Sequence, residues 1–277
     1  MAEVIISTHG ASFADVVAIA RDGAKVVISK ESLAAMQKSR DHVEALAASD
    51  TPVYGISTGF GALANRHVST DLRTQLQRSL IRSHAAGVGA PVEVEVVRAL
   101  MALRLKTLAS GRTGVRPIVA ETMAAILNAG ITPLVREFGS LGCSGDLAPL
   151  AHCALVLMGE GEAVGKDGIA KPVAQLLKEA GIEPVQLAEK EGLALINGTD
   201  GMLGMLILAI HDLRNLVDSA DVVAAMSVEG LLGTDRVFIP ELHAPLRSHP
   251  GQATSAARML ATLAGSGIVA SHLHNDD

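Results

Sequence analysis

The run Gly139-Ser140-Leu141-Gly142-Cys143-Ser144-Gly145-Asp146-Leu147-Ala148-Pro149-Leu150 puts three glycines into seven residues and then passes directly into an apolar segment, Leu147 to Met158. The apolar segment reads as a helix. Asp146 stands where an N-cap belongs, and Pro149 is tolerable in a first turn. A backbone freed from side chains is thereby placed at the positive end of a helix, a position suited to anions or to unusual main-chain chemistry. Residue types alone leave several uses open. One is a plain glycine-rich loop before a helix. A phosphate cradle lacks Gly-Lys-Ser/Thr and a G-x-G-x-x-G in the right place. A nucleophile elbow around Ser144 fails because Asp146 takes the final glycine position. A thiol nucleophile, Cys143 with His152 as base, has no spacing that specifically supports it.

Outward from this run, the composition suits helix-on-helix packing. Apolar residues make up 49% and aromatics only 2%, with one tyrosine and no tryptophan, so Ala, Leu, Val and Ile supply the bulk. A chain of 277 residues can bury a large core in one domain or two. The net charge of -6 and the lack of any basic run argue against a nucleic-acid partner. The most apolar segment, Gly201 to Ile210, contains Gly204 and is closed by His211 and Asp212, too short to cross a membrane. The two cysteines fit no zinc spacing and point to a reducing compartment without disulfides. The N-terminus lacks a signal peptide's basic start and long apolar run, so a cytoplasmic location is expected. His243, His249, His272 and His274 lie towards Asp276 and Asp277, but no pair has a recognised ligand spacing, and no metal is expected.

Periodicity and punctuation give the elements in order. Val4-Ile5-Ile6 and Lys25-Val26-Val27-Ile28 read as short strands flanking a helix with Ser12 as cap and Gly23 as stop. A helix from about Glu31 to Ala48 ends before Thr51-Pro52. Asp71 to Ala86 is a helix stopped by Gly87-Val88-Gly89, Pro91 opens another that ends near Gly111, and Pro117 opens a third ended by Gly130. A short hairpin (Ala163 to Ala170) precedes a helix from Val173, and a long apolar-periodic helix runs from Asp200 to about Leu232.

Three further stretches carry glycine, aromatic or polar groups in unusual density. Tyr54-Gly55-Ile56-Ser57-Thr58-Gly59-Phe60-Gly61 encloses the only tyrosine in a tightly turned loop. Ser83-His84-Ala85-Ala86-Gly87 ends a helix, where a histidine ordinarily caps carbonyls or meets the helix dipole. Glu191-Gly192-Leu193-Ala194-Leu195-Ile196-Asn197-Gly198-Thr199 carries an Asn-Gly pair that by itself reads as a turn. Arg116, at the opening of the Pro117 helix, reads first as structural.

Together with the Gly139–Leu150 run, these stretches resemble the aromatic amino-acid ammonia-lyases, most closely the branch that acts on histidine. They match that family's Y-G-x-x-T-G-F-G loop, its S-H-A-x-G segment and its E-G-L-A-L-x-N-G-T segment. The resemblance implies that Cys143-Ser144-Gly145 cyclises on itself into the electrophile methylidene-imidazolone (MIO), with no external cofactor. The Gly145 amide nitrogen would attack the Cys143 carbonyl carbon, two waters would leave, and Ser144 would become a dehydroalanine. The first residue contributes only its carbonyl, so Cys143 can replace the usual alanine. The resemblance also makes Tyr54 a candidate general base, although a phenol's ordinary pKa of about 10 would have to fall for this work near neutrality. It counts Asp146 with the catalytic set, and it gives His84, Asn197 and Gly61 to substrate binding, with His84 facing a polar ring.

The implied activity is conversion of L-histidine to trans-urocanate and ammonia, with phenylalanine or tyrosine as the alternative substrate and a non-catalytic fragment as the alternative reading. The balance for the truncated chain alone is against activity, since substrate-binding groups of the absent half must come from elsewhere. The implied fold is mainly α: a small N-terminal α/β part with active-site loops, then long helices of an incomplete helical bundle. The expected division is an MIO-bearing domain over residues 1–198 and the start of the central bundle over 199–277. The family continues beyond this length, through a Q-D-x-Y-S-x-R segment and a glutamate that meets the substrate imidazole. The chain therefore reads as an N-terminal portion whose long helices leave apolar surface bare and associate with other chains, a homotetramer being the full-length expectation.

Overall fold

The computed structural model describes residues 2–49, 51–141, 145–247 and 249–272. Cys143 and Ser144 lie outside the described residues, as do His274, Asp276 and Asp277. The described chain is mainly α-helical and divides into two compact units, Met1–Leu208 and Ala209–Asp277.

The first unit opens with β1 (Glu3–Ile6), α1 (Phe13–Ala20) and β2 (Lys25–Ile28). β1 and β2 pair in parallel, Glu3 with Lys25 through Ile6 with Ile28. α1 begins on a full capping box: the Ser12 hydroxyl accepts from the Asp15 amide at 3.1 Å, and the Asp15 carboxylate accepts from the Ser12 amide at 2.8 Å. α2 (Lys30–Ala47) and α3 (Thr70–His84) flank the tyrosine loop, and β3 (Val88–Pro91) follows. Pro91 therefore ends a strand, and the next helix, α4 (Val94–Ala109), opens three residues later. α5 (Pro117–Asn128) has its proline at the first turn, where the missing N–H costs nothing.

Then come β4 (Thr132–Pro133), β5 (Arg136–Phe138), α6 (Leu147–Leu157), β6 (Glu162–Val164), β7 (Ala170–Pro172), α7 (Val173–Ala180), α8 (Glu191–Ile196) and α9 (Asp200–Gly230). β3 pairs with β5 antiparallel, a pairing with no sequence signal, and β6 pairs antiparallel with both β4 and β7.

α4 is the hub. It is buried on most faces and packs against α1, α2 and α5, while α3, α6 and α8 pack on one another. Leu100, Met101, Leu105 and Leu108 of α4 share one core with Met123, Ile126 and Leu127 of α5 and Leu150 and Leu157 of α6. Each such side chain contributes about 1.5–3 kcal/mol when fully buried. Polar groups fasten the same core. The buried Arg98 donates to the Ile19 carbonyl at 2.8 Å and to the Leu127 carbonyl at 3.2 Å, satisfying carbonyls of the last turns of α1 and α5; burial holds this guanidinium below its ordinary pKa.

The second unit contains the rest of α9, then α10 (Pro240–His243), α11 (Pro250–Leu263) and α12 (Gly267–Ser271). Ala225, Leu263 and Val269 form its small core. Two of its histidines meet main-chain carbonyls: a ring nitrogen of His243 lies 2.8 Å from the Val237 carbonyl, and one of His272 lies 2.9 Å from that of Ile268. Among the described residues, no helix is long and apolar enough to cross a membrane, and no group of three metal-ligating side chains converges.

Candidate active site

Gly145 and Gly198 meet in a parallel β-bridge that sets the first turns of α6 and α9 side by side. The Asp146 amide donates to the Gly198 carbonyl at 2.6 Å. Gly145 has φ of +90°, and a β-carbon there would overlap the Gly198 carbonyl, so only glycine fits the conformation and the space. The positive ends of two helices therefore meet at Gly145.

The buried Asp146 joins these two starts, although not as a cap on its own helix. One carboxylate oxygen accepts from the Gly201 amide at 2.7 Å and the Met202 amide at 3.1 Å, capping α9. The other accepts from the Ser140 hydroxyl at 2.8 Å. The expected cap on α6 is replaced for a local reason. The third residue of that helix is Pro149, so one of the two amides that an N-cap side chain ordinarily serves does not exist.

The segment Glu191–Asp200 is fixed from three sides. The fully buried Glu191 carboxylate accepts from the Arg116 amide and Nε, each at 2.9 Å, from Arg116 Nη2 at 2.8 Å, and from the Ala188 amide at 2.7 Å. That hydrogen bonding to Glu191 raises the Arg116 pKa against the opposing effect of burial. The buried Gln77 of α3 accepts from the Gly192 amide at 2.9 Å. The buried Arg104 of α4 donates to the carbonyls of Ala194 at 3.0 Å and Asn197 at 3.2 Å and pairs with the Asp200 carboxylate. Burial holds the Asp200 carboxyl above its ordinary range, against the pull of Arg104. Asn197 itself is exposed at the end of α8.

Tyr54 is 48% exposed and packs edge-on to Phe60, with ring centroids 6.2 Å apart. Its phenolic oxygen accepts from the Gly61 amide at 3.4 Å, so these two candidate residues meet within one loop. A β-carbon on Gly55 would come within 3.0 Å of Leu193, which places this loop against α8. His84 ends α3 with a ring nitrogen 2.9 Å from the Leu80 carbonyl and 3.0 Å from the Ser83 hydroxyl. Just beyond it, the Gly87 amide donates to His152 Nε2 at 3.2 Å. His152 is thus an acceptor tying α6 to the His84 segment, and burial, helped by the Arg136 charge, holds its pKa below the ordinary value. Cys153 is fully buried, and burial pushes its thiol pKa up, which makes it inert.

The hydrogen bonds and bridge thus join the His84–Gly87 segment, Ser140, the Gly145–His152 segment and the Glu191–Met202 segment. Sequence reasoning missed Arg104, Gln77 and Ser140. Arg104 alone left a trace, as a charge inside the apolar run of α4.

A family model for aromatic amino acid lyases matches residues 11–277. The histidine ammonia-lyase of Streptomyces coelicolor is 63% identical over 272 residues, 98% of this chain and 53% of the relative. The MIO-dependent tyrosine 2,3-aminomutase of Streptomyces globisporus is 44% identical over 254 residues, 92% of this chain and 47% of the relative. The solved structure of the tyrosine aminomutase from Streptomyces globisporus superposes with a TM-score of 0.90 at 41% identity, covering 99% of this chain and 52% of that one. The chain spans about half the length of the curated relatives it matches.

Proposed function

This chain belongs to the aromatic amino acid lyase family, and on that premise we propose that it supplies the cyclising loop and its supports in an ammonia-lyase that converts L-histidine to trans-urocanate and ammonia. The observation that carries the reading is the seat of Gly145. Its φ is positive, its α-carbon lies against the Gly198 carbonyl in a cradle that a β-carbon would fill, and two helix starts flank it. That seat fits a residue whose unhindered amide nitrogen closes a ring. The Cys143-Ser144-Gly145 triplet, once cyclised, supplies an electrophile that turns the substrate amine into a better leaving group.

The remaining work falls to ordinary side chains. Tyr54 takes the β-proton on its phenolic oxygen, which the Gly61 amide orients. His84 faces the substrate ring and Asn197 hydrogen-bonds near the reacting centre. The helix starts at Leu147 and Asp200 steady the negative charge that develops. Histidine is favoured over tyrosine because identity to the histidine ammonia-lyase is 63%, against 44% to the tyrosine aminomutase. Assembly with further copies, to a homotetramer in the cytoplasm, belongs to the same proposal. It is supported by the exposed Leu213, Leu216, Val223 and Met226 along the second unit's part of α9.

The test is intact-mass spectrometry of the chain and of Ser144→Ala, with ammonia release measured from L-histidine, L-tyrosine and L-phenylalanine. A two-water deficit confined to the peptide carrying residues 143–145 is expected, and the variant cannot reach it. An uncyclised mass in the unmodified chain refutes the mechanism. Preferential release from L-tyrosine refutes the substrate.

A further inference from the structure

Arg104 sits inside α4, a helix buried on most faces, yet its guanidinium is directed at main chain. Nη1 donates to the Ala194 carbonyl at 3.0 Å and the Asn197 carbonyl at 3.2 Å, and Nη2 donates to Asn197 at 3.2 Å as well as to the Asp200 carboxylate. The head lies so close to Gly198 that a β-carbon there would overlap it. Arg104 Nε is buried with no partner among the described residues. A buried donor left unpaired is costly, and it persists where surrounding structure fixes the group for another purpose. On its other side the Gly198 carbonyl receives the Asp146 amide and forms the bridge to Gly145. The guanidinium, residues 197–198 and Gly145 are therefore stacked in direct contact, in that order.

We propose that Arg104 is the positioning residue for ring closure, fixing the Asn197-Gly198 segment as the surface against which Gly145 is aligned. The proposal rests on the reading that residues 143–145 cyclise. In that step the Gly145 nitrogen bonds to the Cys143 carbonyl carbon, whose oxygen leaves as water with the amide protons of Gly145 and Ser144. The Ser144 hydroxyl and α-proton leave as the second water. No oxidant or reductant is consumed. An amide nitrogen is a poor nucleophile, so alignment governs the rate, and a misplacement of about 1 Å can cost on the order of 10²-fold. Arginine suits the task because its planar fork reaches two carbonyls and a carboxylate at once, whereas a lysine ammonium pairs with Asp200 as a point charge.

The experiment follows the two-water deficit over time by intact mass in the freshly folded chain and in three variants. Arg104→Lys keeps the charge opposite Asp200. The double variant R104M/D200L removes both charges and so leaves no carboxylate orphaned in the core. Ile126→Ala loosens the same core in α5 without touching residues 197–198. Helical circular dichroism and the urea midpoint are recorded for each. The expected result is that Arg104→Lys and the double variant fold but acquire the deficit about 10²-fold more slowly than the unmodified chain, while Ile126→Ala cyclises at the unmodified rate. Equal rates in all four overturn the positioning role and leave the cyclisation reading standing. Slowing in Ile126→Ala to the same degree also overturns it, because general loosening then suffices. A linear mass in the unmodified chain overturns the cyclisation reading and this proposal with it.

Discussion

Gly145→Ala isolates the physical content of the Gly145–Gly198 contact, because two costs fall on one methyl group. The first is conformational. The residue has φ of +90°, and an L side chain in that region costs about 1–2 kcal/mol. The second is contact. The new β-carbon overlaps the Gly198 carbonyl, so the bridge must part and the Asp146 amide loses its 2.6 Å acceptor. Gly145 and Asp146 are buried, and a buried donor left unpaired costs about 1–3 kcal/mol. The sum is about 2–5 kcal/mol. Gly168→Ala separates the two costs, since Gly168 also has positive φ, at +75°, but an added methyl there would meet nothing within 4 Å. It carries the first cost alone. The assay is urea unfolding followed by helical circular dichroism. The midpoint of Gly145→Ala is expected to fall by roughly 1–2 M and that of Gly168→Ala by well under about 1 M. Equal shifts would mean that the Gly198 carbonyl yields without resistance, and the argument for a rigid seat would fail.

Two further outcomes test the supports. Glu191→Gln is expected to destabilise the first unit by about 1–3 kcal/mol, because it replaces the charged acceptor of Arg116, whose side chain is 34% exposed, with a neutral, fully buried amide among hydrogen-bond donors. The double variant R116M/E191L is expected to recover little of that loss in the same urea titration, because the backbone amides of Arg116 and Ala188 lose their acceptor. His152→Gln is expected to flatten the acid side of the stability curve. Burial and the Arg136 charge hold the His152 pKa below the ordinary value of about 6.5. The neutral ring is therefore favoured in the fold, its contribution is complete above that ordinary value, and it is lost as pH falls through the lower folded value. Unfolding midpoints measured between about pH 7 and pH 5 should drop less in the variant than in the unmodified chain, and parallel curves would show that the Gly87–His152 contact does not titrate.

Most helices were legible because their signals are local. Ser12 caps α1, Pro117 opens α5, and the apolar period of α9 begins beside Asp200, each a feature of a few consecutive residues. What escaped has partners far along the chain. β3 finds β5 some 50 residues away, Gln77 meets Gly192 and Arg104 meets Asn197, and no window of sequence contains both members. Arg98 and Arg104 did leave a readable sign, since a helix apolar on nearly every face has no reason to carry arginines unless buried carbonyls await them.

Asp146 shows why a local signal can be right about position and wrong about partner. It does precede the first residue of α6, as the run predicts, but its ψ of 54° is not that of a capping residue, and Pro149 removes one of the amides it would serve. Its carboxylate turns instead to the amides of Gly201 and Met202 at the start of α9. A cap that crosses from one helix to another ties the two together in a way that an ordinary cap cannot. The proline that spoils the local cap thereby leaves Asp146 available to join α6 to α9, beside the junction where Gly145 meets Gly198.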